Sequence, residues 1–244
     1  MAKAKKHVAP AKVVAAILDK SGSMAACRSE VIDGFNEFLG TLEGEANTTV
    51  SVTLFDTVVT LAHDAKVPAD VPKLTSESYA PGGCTALLDA IGKTVSALGA
   101  KVGTGADAPS VVCLIMTDGQ ENSSQEFRLE QVQSLIAERQ ARGNWTFVFM
   151  GQKETAWQDA GQLGIPVGNT KGFDAATQTK TTFRESGGAY STYSRSGARS
   201  TQGFFTPPAV PAPAPVPTPP TDAADTKAAG GLTVRSVSGS GKLG

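Results

Sequence analysis

Long hydrophobic runs are missing from this sequence. The longest, Val13–Leu18 and Val111–Met116, fall far short of the ~18 residues a membrane-spanning helix needs, so no membrane span is expected. Cysteine is scarce. Cys27, Cys84 and Cys113 are odd in number and lack a Cys-x-x-Cys spacing, which fits reduced thiols in a cytoplasmic protein. An excess charge of one sign is missing too. Lys and Arg number 22 against 23 Asp and Glu, a net charge of −1, so the whole chain has no attraction for nucleic acid or an anionic membrane. Met1–His7 is basic like the start of a signal peptide, but the apolar run that follows ends at Asp19 with no small-residue cleavage site. Residues 1–10 therefore read as a disordered basic arm, and no secretion signal is assigned. No internal repeat is visible.

What the chain does have is a body and an appendage. Hydrophobic residues make up 40% and charged residues 18%, ordinary for a globular core. Glycine and proline are plentiful but unevenly placed: eight of the 14 prolines lie between Pro207 and Pro220. Residues 206–220 read as a Pro-rich linker in a stiff polyproline II form, rising ~3.1 Å per residue. Residues 221–244 read as a flexible tail with Leu232, Val234, Val237 and Leu243 as its apolar anchors. That tail is either simply solvated or a docking peptide held away from the domain.

Between residues 11 and 205 the pattern alternates. Val13–Leu18 is a continuous apolar run, as a buried parallel strand requires, and Val111–Met116 is another. Val50–Phe55 and Val58–Ala62 read as hairpin-paired strands, and Trp145–Met150 as a further strand. Helical spacing links Val31, Phe35, Phe38 and Leu42; then Leu87, Ala90, Ile91 and Val95; then Leu129, Val132, Leu135 and Ile136. Residues 154–163 look helical, Ile165–Val167 a short strand, and 174–194 a polar helix with weaker periodicity. The expected class is α/β: a doubly wound, mostly parallel sheet with helices on both faces, its core in residues 11–170 and a helical extension in 171–205.

Both buried strands run into an aspartate. Asp19 stands in Asp19-Lys-Ser-Gly-Ser23, and Asp118 in Thr117-Asp-Gly-Gln-Glu-Asn122. In an open α/β sheet the carboxyl ends of the strands are where ligands bind. Two carboxylates, the hydroxyls of Ser21 and Ser23, and the Thr85 hydroxyl from the Pro81–Thr85 loop make an all-oxygen donor set. Such hard donors suit Mg²⁺ or Mn²⁺ and leave room for water or a partner's oxygen.

This set, in this order, resembles the von Willebrand factor A (vWA) family and its metal-ion-dependent adhesion site. Asp19, Ser21 and Ser23 match the first motif, Thr85 the second and Asp118 the third, over roughly residues 11–170. Thr85-Ala-Leu-Leu-Asp-Ala-Ile91 and Thr117–Asn122 look closer to vWA proteins of bacteria and their phages than to integrin or matrix domains. The resemblance implies a divalent ion held by the two serines and the threonine, with the aspartates acting directly or through water. It also implies that a partner's Asp or Glu completes the shell.

Around this set stand further candidates. Asp89, in the helix after Thr85, either holds the Thr85 or serine hydroxyls or is a solvated helix carboxylate. Glu121 reads as a surface charge at the rim, and Gln152 as a residue facing the same edge. Asp56 is a nearby carboxylate, Cys84 a small packed thiol, and Trp157 a helix-packing residue. Catalysis would want an acid or base beside a metal-bound water, yet the two histidines, His7 and His63, lie outside the ligand loops. The terminal Gly239-Ser-Gly-Lys-Leu-Gly244 echoes a phosphate loop, but Ser236 and Leu243 replace its required Gly and Ser/Thr, and no helix can follow.

The expected function is therefore a metal-dependent protein-binding module, not an enzyme, with residues 80–84, 119–127 and 151–156 setting partner choice. The alternative is a structural or accessory part of an assembly such as a phage virion, tethered by the Pro-rich tail. An AAA+ ATPase is a further candidate partner, implied by the bacterial relatives alone. The expected location is the cytoplasm of a bacterial or infected host cell, with the virion as the alternative.

Overall fold

The computed structural model describes residues 11–206; the basic arm, the Pro-rich linker and the tail lie outside the described residues. Its strands are β1 (Lys12–Asp19), β2 (Thr48–Phe55), β3 (Val59–Lys66), β4 (Ser110–Met116), β5 (Trp145–Gln152) and β6 (Thr170–Phe173). Its helices are α1 (Arg28–Glu43), α2 (Leu87–Val102), α3 (Leu129–Ala141), α4 (Ala156–Gln162) and α5 (Thr179–Ser196). The strands form one sheet in the order β3-β2-β1-β4-β5-β6. All neighbours run parallel except β2 and β3, which form an antiparallel pair.

The continuous apolar runs of β1 and β4 are explained by burial on both faces. Val14, Ala16 and Leu18 point into a core shared with α1 and α5, while Val13, Ala15 and Ile17 point into a second core shared with α2, α3 and α4. A period of two sends alternate residues to opposite faces, so a strand covered on both sides must be apolar throughout. The sheet is thus doubly wound, with helices on both faces. Among the described residues no helix is long and apolar enough to cross a membrane.

The short strand expected at Ile165–Val167 lies instead at Thr170–Phe173. Pro166 lacks an N–H for the ladder, so Val167–Asn169 form a 3-10 turn, and the strand begins only after it. The helix expected from residue 174 begins at Thr179, because Asp174–Gln178 close a turn in which Asp174 Oδ1 accepts the Ala176 N–H at 2.9 Å. It is also more than a polar surface helix: Phe183, Tyr190 and Tyr193 are buried beside α1. At the crossing a methyl on Gly34 would meet Lys180 Cα at 3.0 Å, so only glycine admits this approach. After α5 the chain is tied back to the sheet. The Arg199 guanidinium donates to the carbonyls of Ala106 and Ala108 at 2.6 and 2.7 Å, and the Asn169 Oδ1 accepts the Phe204 N–H at 2.8 Å.

Candidate metal centre

Leaving β1 the chain winds towards β2 and β3; leaving β4 it winds the opposite way, towards β5 and β6. The reversal opens a crevice between the carboxyl ends of β1 and β4, which are paired with Leu18 opposite Met116. Asp19 and Thr117–Asp118 follow immediately and so emerge side by side.

Asp19 is fully buried. Its Oδ1 accepts the Ser21 N–H at 2.6 Å, which sets the tight turn, and its Oδ2 accepts the Thr117 hydroxyl at 2.6 Å. The Thr117 oxygen in turn accepts the Gly119 N–H at 3.1 Å. The buried Tyr79 hydroxyl donates to the Asp19 carbonyl and pins the strand end. Ser21 Oγ lies 3.2 Å from Ser23 Oγ, and the Ser23 hydroxyl donates to Asp118 Oδ1 at 2.6 Å. The third loop is clamped to the first: Gly82 N–H donates to the Lys20 carbonyl at 2.8 Å, and Gly22 N–H to the Gly83 carbonyl at 3.1 Å. Thr85 is held from the β4 side, its N–H donating to Asn122 Oδ1 at 2.8 Å and its carbonyl accepting the Asn122 N–H at 3.0 Å.

The space these loops enclose is small. A methyl carbon on Gly119 would stand 3.1 Å from Thr85 Oγ1, 3.4 Å from Ser23 Oγ and 3.8 Å from Asp19 Oδ2. Three oxygens from two chain segments, the Asp19–Ser23 turn and the Thr85 loop, therefore face one point beside Gly119 of a third, and Asp118 joins them through Ser23. The five residues singled out in the sequence are brought together. Among the described residues no group of three or more His, Cys, Asp or Glu is placed to hold a metal. The donors gathered here are instead two carboxylates and three hydroxyls.

The electrostatics are unfavourable for two free carboxylates. Burial pushes the Asp19 carboxyl above the usual range, against the opposing hydrogen bonds from Thr117 and Ser21, and the Asp118 charge adds to the rise. Burial likewise raises Asp118, against the Ser23 hydrogen bond. Lys20, adjacent in sequence, gives no relief, because its ammonium pairs with Asp56. The donor set fits a hard divalent cation, which would favour the ionised form of both carboxylates.

The outlying candidates fall differently. Asp89 holds neither Thr85 nor a serine hydroxyl of the cluster, nor is it solvated. Its oxygens accept the N–H groups of Gln125, Glu126 and Phe127 at 2.9, 2.9 and 2.8 Å, because the loop before α3 folds over the start of α2. Burial works against its charge, but these three donors outweigh it and hold the carboxyl below the usual range. Glu121 is a clamp and no loose surface charge: it accepts the Leu88 N–H at 2.8 Å, Ser123 N–H at 2.9 Å, and both the N–H and the hydroxyl of Ser124 at 2.7 Å. Gln152 ends β5 with an exposed side chain and, among the described residues, makes no side-chain hydrogen bond to the cluster. Cys84 is exposed rather than packed, and its backbone N–H donates to Thr57 Oγ1 at 2.9 Å. Trp157 is 46% exposed and lies over Gly172, where a methyl would meet its ring at 2.7 Å.

Three residues the sequence reading passed over complete the cluster: Thr117, Asn122 and Tyr79. Thr117 has a local signal, a hydroxyl placed directly after a buried apolar run, where it must find a partner. Asn122 lies within the same hexapeptide. Tyr79 has none, since its role depends on a contact 60 residues away.

No protein-family model and no curated protein matches the sequence. Among solved structures, proximal thread matrix protein 1 of the mussel byssus is similar over 72% of this chain, at 14% identity and a TM-score of 0.53. The ArnB paralog VWA2 of Sulfolobus acidocaldarius is similar over 73%, at 16% identity and a TM-score of 0.52. The D319A mutant of the PilB minor pilin of Streptococcus sanguinis is similar over 77%, at 12% identity and a TM-score of 0.57. The matched region spans 46%, 45% and 63% of those three chains, respectively. The mussel protein has also been solved with zinc in its MIDAS motif.

Proposed function

Because the chain has the von Willebrand factor A fold and gathers five hard oxygen donors at its sheet edge, we propose that it is a divalent-metal-dependent protein-binding module. The observation that carries the reading is the convergence of Thr85 Oγ1, Ser23 Oγ and Asp19 Oδ2 about the space beside Gly119. Ser21, Ser23 and Thr85 would hold Mg²⁺ or Mn²⁺ through their hydroxyls, with Asp19 and Asp118 binding directly or through water. The bound cation supplies an electrophilic point to which a partner's Asp or Glu can bond.

The chain's own residues prepare that point. The Ser23 proton is committed to Asp118, so its oxygen can only accept, and beside the contact from the Ser21 hydroxyl it keeps a lone pair to face a cation. Thr117 fixes the Asp19 carboxylate in the same way from the other side. A shell of two carboxylates and three neutral hydroxyls balances a divalent ion's formal charge without exceeding it, and a carboxylate that reaches the ion only through water screens it less, so the ion stays open to an incoming anion. The reading is binding without turnover. It is supported by the placement of His63 on the edge strand β3, two strands from β1, where it cannot serve as a proton acceptor for the cluster.

Partners would be captured from lysate with the tagged chain in Mg²⁺, in EDTA, and as the Asp19→Ala/Asp118→Ala variant in Mg²⁺. Circular dichroism would first establish that the variant is folded. A protein retained only by wild type in Mg²⁺, with Mg²⁺ binding by calorimetry lost in the variant, is the expected result. The same partners under all three conditions would overturn the reading.

A further inference from the structure

A groove of about 310 Å³ runs beside the metal centre, between the starts of α2 and α3, the segment after β4, and α4. Its size is at the small end of the ~300–1,000 Å³ of ligand pockets, enough for a large side chain with its flanking backbone. The floor is apolar: Leu87, Leu88, Leu129, Phe149 and Leu163. Gly119 lines both this groove and the space where the cluster's oxygens converge, so the two sites adjoin. A chain whose carboxylate reaches that space has its neighbouring residues, ~3.3 Å apart when extended, at the groove's mouth.

Charge narrows the occupant further. Two carboxylates, Glu121 and Asp159, and no basic side chain line the groove. Glu121 is saturated by four hydrogen bonds. Asp159 has no ion pair or side-chain hydrogen bond among the described residues, which leaves it available to a partner's cation. The wall is also prefixed: Glu121 and Asp89 staple residues 121–127 onto α2, so filling the groove requires little rearrangement.

We propose that the partner is a peptide segment in which an Asp or Glu for the metal centre is accompanied, within about four residues, by a large apolar side chain that fills this groove and a Lys or Arg that meets Asp159. This rests on the metal-bridged reading above and gives it a sequence preference.

The test is selection from a phage-displayed random dodecapeptide library on the full chain in Mg²⁺, with elution by EDTA, alongside a calorimetric Mg²⁺ titration. Eluted peptides should share the acidic, apolar and basic triplet. Replacing the apolar residue by Ser in a synthetic peptide should weaken binding about tenfold or more. Gln158→Trp, an exposed rim position, should weaken the peptide similarly and leave Mg²⁺ affinity unchanged. EDTA-eluted acidic peptides with no apolar preference, or indifferent to Gln158→Trp, overturn the groove and leave the metal reading standing. Mg²⁺ binding with no EDTA-released peptide also overturns the groove alone. No Mg²⁺ binding overturns both.

Discussion

The sharpest probe of the proposed metal centre is the smallest change that can be made in it, Gly119→Ala. The backbone of Gly119 is outside the left-handed region, so alanine is compatible with it, and Gly→Ala at a compatible position typically gains ~0.4–1 kcal/mol through the unfolded chain. The added carbon would stand 3.1 Å from Thr85 Oγ1, about 0.3 Å inside the ordinary 3.4 Å contact. Thr85 cannot retreat as a whole, because its N–H and carbonyl are both bonded to Asn122. Its side chain must turn instead, and an off-rotamer turn of this kind costs about 1 kcal/mol, or roughly fivefold in Kd. Mg²⁺ should suffer more than Ca²⁺, since Mg²⁺ demands near-octahedral bonds of ~2.0–2.1 Å, whereas Ca²⁺ accepts ~2.3–2.6 Å in looser geometry. Isothermal titration with each ion, beside a thermal melt in EDTA, measures all three quantities. We expect an unchanged melt to within about 1 kcal/mol, a severalfold loss for Mg²⁺ and a smaller one for Ca²⁺. Undiminished Mg²⁺ affinity in a folded variant would falsify the convergence of donors beside Gly119, and equal losses for both ions would refute the displacement argument.

Thr117→Val strips the buried Asp19 Oδ2 of its hydroxyl donor and the Gly119 N–H of its acceptor, at an expected cost of about 2–3 kcal/mol in metal-free urea unfolding. A loss below about 1 kcal/mol would mean Thr117 is not what secures the carboxylate. Asp89→Ala leaves three backbone N–H groups of residues 125–127 without their acceptor, so stability should fall by about 2–3 kcal/mol and trypsin should cut sooner after Arg128; unchanged digestion would argue against the clamp. The two cluster carboxylates have raised folded-state values, so their contribution to metal-free stability is fully present below the unfolded carboxylate range and lost as pH rises through the folded values. Metal-free Asp118→Asn should therefore melt above metal-free wild type at pH 7, with the gap closing towards pH 3. A gap that widens on acidification would reverse the sign of the argument.

The sheet was legible because burial on both faces leaves a mark in sequence that little else imitates. Val13–Leu18 and Val111–Met116 are apolar without interruption, and the polar residues that follow, through Asp19 and Asp118, mark the carboxyl ends of the two strands. Given two such strands as neighbours, their terminal carboxylates must lie together, and the serine turn after Asp19 follows from its own short-range bond to the Ser21 N–H. What was illegible is what depends on distant parts of the chain. Asp89 is an acidic residue in a helix's first turn and Glu121 one in the segment after β4, placements as common on solvated surfaces as in clamps. Only the path of residues 121–127 across α2 decides between the two, and no local pattern records it. The helix after β6 was obscured for a related reason. Helix α5 meets α1 through the Phe183 ring, but the rest of its buried face mixes Tyr190 and Tyr193 with glycine and small hydroxyl residues, so it lacks the continuous aliphatic stripe by which a buried helix is recognised. Close backbone approach at Gly34 and Gly187 fastens it together with those aromatic rings, and glycine content in a sequence reads as looseness until the partner surface is known.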